Sequence, residues 1–236
     1  MTADRPPLAE GIPDRLYGRR RGHPLRPRQQ RLLDVTLPRL RLTKQDAADP
    51  RAAFGMPGAP LWLEVGFGGG EHALAQVEAN PGTAYIASEV FENGLCSLLS
   101  RLVPEGGEGE APLPRNLRLW PQDARHLLGA LPEGALDRLY LLFPDPWPKA
   151  RHAKRRFVNP ALLPLVARAL RPGGEWRIAS DDPTYQGWVE EVMAGAAGFV
   201  RLARHDRRPE GWPGTRYEAK ALKEGRTPLY WVFARR

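Results

Sequence analysis

The chain has 236 residues, about one and a half typical domains, and its 42% hydrophobic and 26% charged residues exclude coiled coil, collagen and wholesale disorder. Thirty-five Lys and Arg against 27 Asp and Glu leave a net charge of +8, which points to an anionic partner. A single cysteine, Cys96, excludes an intrachain disulfide, and without a Cys/His cluster at ligand spacing no metal site is expected. The N-terminus has no apolar signal core and no apolar run approaches the ~18 residues of a membrane span, so a soluble cytoplasmic protein is expected.

Residues 1–58 are rich in Arg and Pro. Apolar residues such as Leu32, Leu33, Val35 and Leu37 lie among Pro24, Pro27 and Pro38, which suggests a basic arm, partly ordered at best. Its arginines (15, 19, 20, 21, 26, 28 and 31) could grip a polyanion or merely keep a tail soluble. Residues 59–236 read as one domain. Short apolar runs at 61–65, 84–88, 117–120, 136–143, 175–180, 200–203 and 229–234 read as strands. Helical patterns at 71–79, 92–103, 123–130, 160–170 and 184–194 lie between most of them. This alternation predicts an α/β fold, a mostly parallel sheet with helices on both faces, whose ligands bind beyond the carboxyl ends of the strands. The stretch from Pro104 to Pro114 reads as a flexible linker.

The first run leads into Glu64-Val65-Gly66-Phe67-Gly68-Gly69-Gly70. Glycines at 66, 68 and 70 permit a tight turn and close approach of backbone to a ligand, although a plain strand-to-helix connection can look the same. The carboxylate of Glu64, two residues before the first glycine, suits a ligand with an ammonium and a sulfonium better than a pyrophosphate, and so favours S-adenosylmethionine over a dinucleotide. Glu89 ends the second run and can accept from two ribose hydroxyls; a solvated strand-end charge is the alternative. Asp123, after the third run, is either an acceptor for an adenine amino group or an ordinary N-cap.

The fourth run stops at Pro144-Asp145-Pro146-Trp147-Pro148-Lys149, where three prolines fix the backbone around one carboxylate. Five formal positive charges follow in eight residues, carried by Lys149, Arg151, Lys154, Arg155 and Arg156 with His152 among them, and this tail suits phosphate contact. Asp181 and Asp182 follow the fifth run; one of them is a plausible N-cap, and Asp181 could instead accept from a guanine N1–H and amino group. Thr215-Arg216-Tyr217-Glu218 reads as a polar turn before the last run.

Taken together, Glu64-x-Gly-x-Gly-x-Gly70, Phe143-Pro-Asp-Pro-Trp-Pro-Lys149, Arg151-His-x-Lys-Arg-Arg156, Ser180-Asp181 and Thr215-Arg-Tyr-Glu218 closely resemble the bacterial tRNA (guanine-N7-)-methyltransferases, from about Arg19 to the C-terminus. The resemblance implies a Rossmann-like class I methyltransferase sheet of seven strands. It also implies S-adenosylmethionine as methyl donor and N7 of a guanine in the tRNA variable loop, usually position 46, as acceptor. It implies cofactor contacts at Glu64, Gly66, Gly68, Gly70, Glu89, Asp123 and Asp145, with Asp145 also the catalytic residue. Lys149, Asp181, Thr215, Arg216, Tyr217 and Glu218 would hold the substrate, and Arg151, His152, Lys154, Arg155 and Arg156 the RNA. Glu105 to Ala111 lies outside the pattern. Another RNA base methyltransferase and a non-catalytic RNA-binding protein with a vestigial fold are the competing expectations; nothing in the sequence names a protein partner.

Overall fold

The structure is a computed structural model that describes residues 15–236. In chain order, α1 (Pro27–Arg31), a π-helical turn (Leu32–Thr36), α2 (Leu37–Leu40), α3 (Lys44–Ala48) and α4 (Pro50–Phe54) lead into β1 (Leu61–Val65). There follow α5 (Glu71–Ala79), β2 (Ala84–Ser88), α6 (Glu92–Leu102), β3 (Leu117–Trp120), α7 (Ala124–Ala130) and β4 (Leu136–Leu142). A 3₁₀ turn (Ala150–Arg155), α8 (Leu163–Ala169), β5 (Leu170–Ser180), α9 (Pro183–Ala194), β6 (Phe199–His205), α10 (Arg216–Lys223) and β7 (Leu229–Arg235) complete the chain.

The seven strands form one sheet in the order β3-β2-β1-β4-β5-β7-β6. Pairings from β3 through β5 are parallel, and β7 runs antiparallel between β5 and β6. The chain reverses direction across the sheet beside β1, which leaves a crevice at the carboxyl ends of β1 and β4. Alternation along each strand divides the core into two. Leu61 and Leu63 of β1, Ile86 of β2 and Leu139 and Leu141 of β4 pack under α7, α8 and α9 on one face. Tyr85, Ala87, Tyr140 and Leu142 pack under α5 and α6 on the other. Among the described residues no helix is long and apolar enough to cross a membrane.

Two expectations are corrected here. The segment from Pro27 to Phe54 is no loose arm: Leu32, Leu37, Leu40, Leu42 and Phe54 are buried in the two cores. Pro27 and Pro50 each occupy the first turn of a helix, where a missing N–H breaks no intrahelical bond, and Pro38 follows the π-helical turn within one continuous helical run from Pro27 to Leu40, so none of the three ends the helix it lies in. The Leu42 N–H donates to the Leu119 carbonyl at 2.9 Å, so the segment also covers the exposed edge of β3. The stretch from Pro104 to Pro114 is no free linker either. Glu108, 2% exposed, accepts from Arg28 and Arg31 at 3.4 and 3.5 Å, and its carbonyl accepts from the Thr36 hydroxyl at 2.7 Å. Arg28, which also donates to the Val103 carbonyl at 2.7 Å, is therefore occupied within the molecule, whereas Arg31 keeps most of its side chain in solvent.

Candidate active site

The glycine turn between β1 and α5 adopts the left-handed backbone that its sequence suggested, with φ of +74° at Gly66, +58° at Gly68 and +84° at Gly70. At Gly70 a side chain is doubly excluded, because an added Cβ would lie 2.7 Å from Leu98 Cβ. Glu89 ties this turn to the end of β2. Its carboxylate accepts from the backbone N–H of Gly68 at 2.8 Å, of Val90 at 2.7 Å and of Phe91 at 2.9 Å. Burial nevertheless raises the Glu89 carboxyl above its ordinary range, the three backbone donors working against that shift and the nearby Asp145 carboxylate adding to it.

Glu64 is placed differently from expectation. Leu63 faces α7–α9, so by strand alternation Glu64 faces α5, where it is 2% exposed. Its Oε2 accepts from the Tyr85 hydroxyl at 2.7 Å and lies 2.9 Å from His72 Nδ1. Glu64 is thus held by Tyr85 and His72 on the α5 face of the sheet and is not among the residues that line the two cavities of the crevice. Asp123 is the N-cap of α7, accepting from the Arg125 N–H at 3.0 Å, and the Arg125 guanidinium also clasps its carboxylate at 2.6–3.0 Å. The N-cap alternative is realised, and Asp123 also lines a cavity.

Two adjoining cavities occupy the crevice, of about 150 and about 880 Å³. Gly66, Glu89, Tyr17 and Arg155 line both; Asp123 and Gln122 line only the smaller. Gly68, Asp145, Trp147 and Tyr217 line only the larger. Residues 66, 89, 145 and 217, far apart in the chain, thus meet around one space of the size that small-molecule sites occupy.

The Pro-Asp-Pro turn is strained. Phe143 and Trp147, which bracket it, have φ of +52° and +44°, the only positive values at non-glycine positions among the described residues. The Phe143 N–H donates to the Ala179 carbonyl at 2.8 Å, and Arg156 donates to the carbonyls of Pro146 and Trp147 at 3.0 and 2.9 Å. Asp145 is left exposed at the tip.

The basic tail divides. Lys149, Arg151 and Lys154 are exposed. Arg155 lies over the rings of Trp147 and Tyr17 at 4.8 and 5.2 Å, and its buried Nε has no hydrogen-bond partner. Arg156 is 5% exposed, which corrects its expected place on the RNA-facing surface. His152 packs edge-on against Trp147 and has its pKa lowered by desolvation and by the surrounding cations, which keeps it uncharged near neutrality.

Asp181 is held by Arg226 at 2.7 Å and Asp182 caps α9, so Asp181 is not among the residues lining either cavity. The stretch from Thr215 to Glu218 is not a turn but the start of α10. Thr215 is the N-cap, accepting from the Glu218 N–H at 3.0 Å. Glu218 is buried, accepts from the Tyr230 hydroxyl at 2.8 Å and pairs with Arg208. Of the four, Tyr217 alone lines the larger cavity, with Arg216 over its ring at 4.9 Å. Gly94 and Tyr17 escaped the sequence reading. A Cβ on Gly94 would lie 2.5 Å from the Gly68 carbonyl, so this glycine lets α6 approach the turn; its only signal was a glycine in the first turn of a predicted helix.

The family model described as "Putative methyltransferase" matches residues 58–230. The tRNA (guanine-N(7)-)-methyltransferase of Granulibacter bethesdensis is 65% identical over 225 residues, 95% of this chain and 96% of the relative. That of Rhodospirillum rubrum is 48% identical over 231 residues, 94% and 88% of the two chains. The chain belongs to the tRNA (guanine-N(7)-)-methyltransferase family. In fold it is similar to a solved antibiotic-related methyltransferase, with a TM-score of 0.58 at 14% identity over 83% of this chain and 95% of that one. It is likewise similar to a 16S rRNA methyltransferase, with a TM-score of 0.57 at 16% identity over 80% and 94%. The class I methyltransferase architecture expected from the sequence is therefore the one observed. The strained turn and the glycine turn both fall inside the matched residues.

Proposed function

We propose that this protein transfers a methyl group from S-adenosylmethionine to N7 of a guanine in tRNA, at position 46 of the variable loop. The observation that carries the reading is the larger cavity, around which Gly66, Gly68 and Glu89 meet Asp145, Trp147 and Tyr217. The residues fit the cofactor. The glycine turn offers backbone without side chains, Glu89 supplies acceptors for ribose hydroxyls, and Asp123 lies where the smaller cavity would take a purine. Arg155, stacked on Trp147 and Tyr17, lines both cavities and keeps a positive charge beside the space.

S-adenosylmethionine, when bound, supplies an electrophilic methyl group carried on a sulfonium. The chain's own residues have a limited task, because guanine N7 already presents a lone pair and no side chain needs to remove a proton. Asp145, with Pro144 and Pro146 fixing its backbone, orients the acceptor and places a negative charge near the positive charge that develops on the purine. Trp147 and Tyr217 offer aromatic surface to the base. Alignment of this kind can supply about 7–11 kcal/mol. Lys149, Arg151 and Lys154, exposed beside the turn, are the cations left to meet phosphate.

Incubation with labelled S-adenosylmethionine and unfractionated tRNA, followed by mass spectrometry of the nucleosides, is expected to yield 7-methylguanosine. A methyl on a different atom or base would overturn the reading.

A further inference from the structure

Arg156 stands out from the tail in which it lies. Its neighbours Arg151 and Lys154 point to solvent, but Arg156 is buried and spends its guanidinium on the reaction turn, Nε on the Pro146 carbonyl at 3.0 Å and one terminal nitrogen on the Trp147 carbonyl at 2.9 Å. Its plane lies over Trp188 at 4.7 Å, and Trp188 is itself fixed by donating from its indole nitrogen to the Val158 carbonyl at 2.6 Å. The clasp therefore runs from α9 through Trp188 and Arg156 to the carbonyls that follow Asp145.

That is where the backbone needs a hold. Trp147 has φ of +44°, a conformation that costs an L-residue free energy and persists only where surroundings impose it. Proline at 146 and at 148 restricts this turn but supplies no N–H with which it could brace itself. A bidentate, planar, always-charged donor stacked on an indole suits the task; a lysine has neither the fork nor the plane.

We propose that Arg156 is a positioning residue for methyl transfer: it locks the Asp145 turn in its strained conformation and does not bind RNA. The inference rests on the methyltransferase reading above. It predicts that loss of the fork slows turnover while leaving RNA affinity alone, because a displacement of about 1 Å at a reacting group can cost ~100-fold in rate.

The test compares Arg156→Lys, Arg156→Ala and Trp188→Leu with Arg151→Ala, using purified full-length protein, tRNA and S-adenosylmethionine. For Arg156→Lys, kcat is expected to fall about 10- to 100-fold, with KM for tRNA and the slope of log affinity against log salt within error of wild type. Trp188→Leu, which keeps the fork and loses only the stack, is expected to give a smaller fall of the same kind. Millimolar guanidinium chloride, far below denaturing concentrations, is expected to restore part of the kcat of Arg156→Ala. Arg151→Ala is expected to behave oppositely, raising KM and reducing the salt slope by about one, since Arg151 is exposed and lines neither cavity. A salt slope reduced by about one in Arg156→Lys, with kcat unchanged, would assign Arg156 to phosphate and overturn the proposal. Should Arg156→Ala melt at assay temperature, Arg156→Lys and Trp188→Leu decide. A wild-type product other than 7-methylguanosine would overturn the proposed function but leave the kcat comparison at Arg156 intact.

Discussion

The two walls of the crevice are held by different means. The cofactor wall is local and made of backbone: the N–H groups that fix Glu89 belong to Gly68 in the turn after β1 and to Val90 and Phe91 directly after β2. The acceptor wall is assembled from afar. The Asp145 turn depends on Ala179 at the end of β5 and on Arg156 backed by Trp188 of α9. A backbone-built wall tolerates most side-chain changes but not the loss of a glycine. A side-chain-built wall fails one contact at a time, and its failure shows in rate before it shows in cofactor binding.

The sharpest way to break this contrast is Asp145→Asn. Turnover is expected to fall about 100-fold or more, with the S-adenosylmethionine Kd, measured by calorimetry, within about tenfold of wild type. Near-wild-type turnover would remove Asp145 from its role, and an equal loss in both quantities would erase the distinction between the walls. Gly94→Ala tests the other wall. Its Cβ would push on the Gly68 carbonyl, so cofactor affinity is expected to weaken about tenfold or more, while kcat at saturating cofactor changes less.

Glu89 sharpens the contrast through pH. Its folded-state pKa is raised chiefly by burial, so Glu89 takes up a proton more readily in the folded protein than in the unfolded chain; that contribution to stability is present at acid pH and lost as pH rises through the raised value. The ionised carboxylate is the better acceptor for ribose hydroxyls, so calorimetry is expected to show cofactor affinity weakening as pH falls from neutrality toward the ordinary carboxyl range. Glu89→Gln is expected to bind more weakly at pH 7 and to lose that slope; an identical pH dependence in both proteins would show that another group titrates. The smallest expected effect belongs to Thr215→Ala. It removes an N-cap and should cost about 1 kcal/mol, a melting shift of ~2–4 °C, with kcat nearly unchanged. A tenfold loss of kcat would instead put the Thr215 hydroxyl on the substrate.

Much of the central fold was legible because local pattern and tertiary placement agree there. The runs at 61–65, 84–88 and 117–120 coincide with β1, β2 and β3, and the pattern at 71–79 with α5, since alternation and helical periodicity follow directly from which face is buried. Prolines misled the reading of residues 27–54, because sequence does not say whether a proline starts a helix or breaks one until the buried partners of that helix are known. The start of α10 was missed for a related reason: Thr-x-x-Glu before a short, highly charged stretch resembles a turn until Tyr230 and Arg208 bury Glu218.

By itself the sequence determined the α/β order, the glycine turn, the acids near the strand ends and the proline-bound Asp145, because each is a local consequence of residue type and spacing. Only the tertiary structure decided which of these groups face a common space. It turned Glu64 to the α5 face of the sheet, gave Asp181 to Arg226, and moved Arg156 from the RNA surface to the back of the reaction turn. The physical reason is that a charged side chain takes the direction and partners its burial demands, and those partners come from strands and helices distant in the chain.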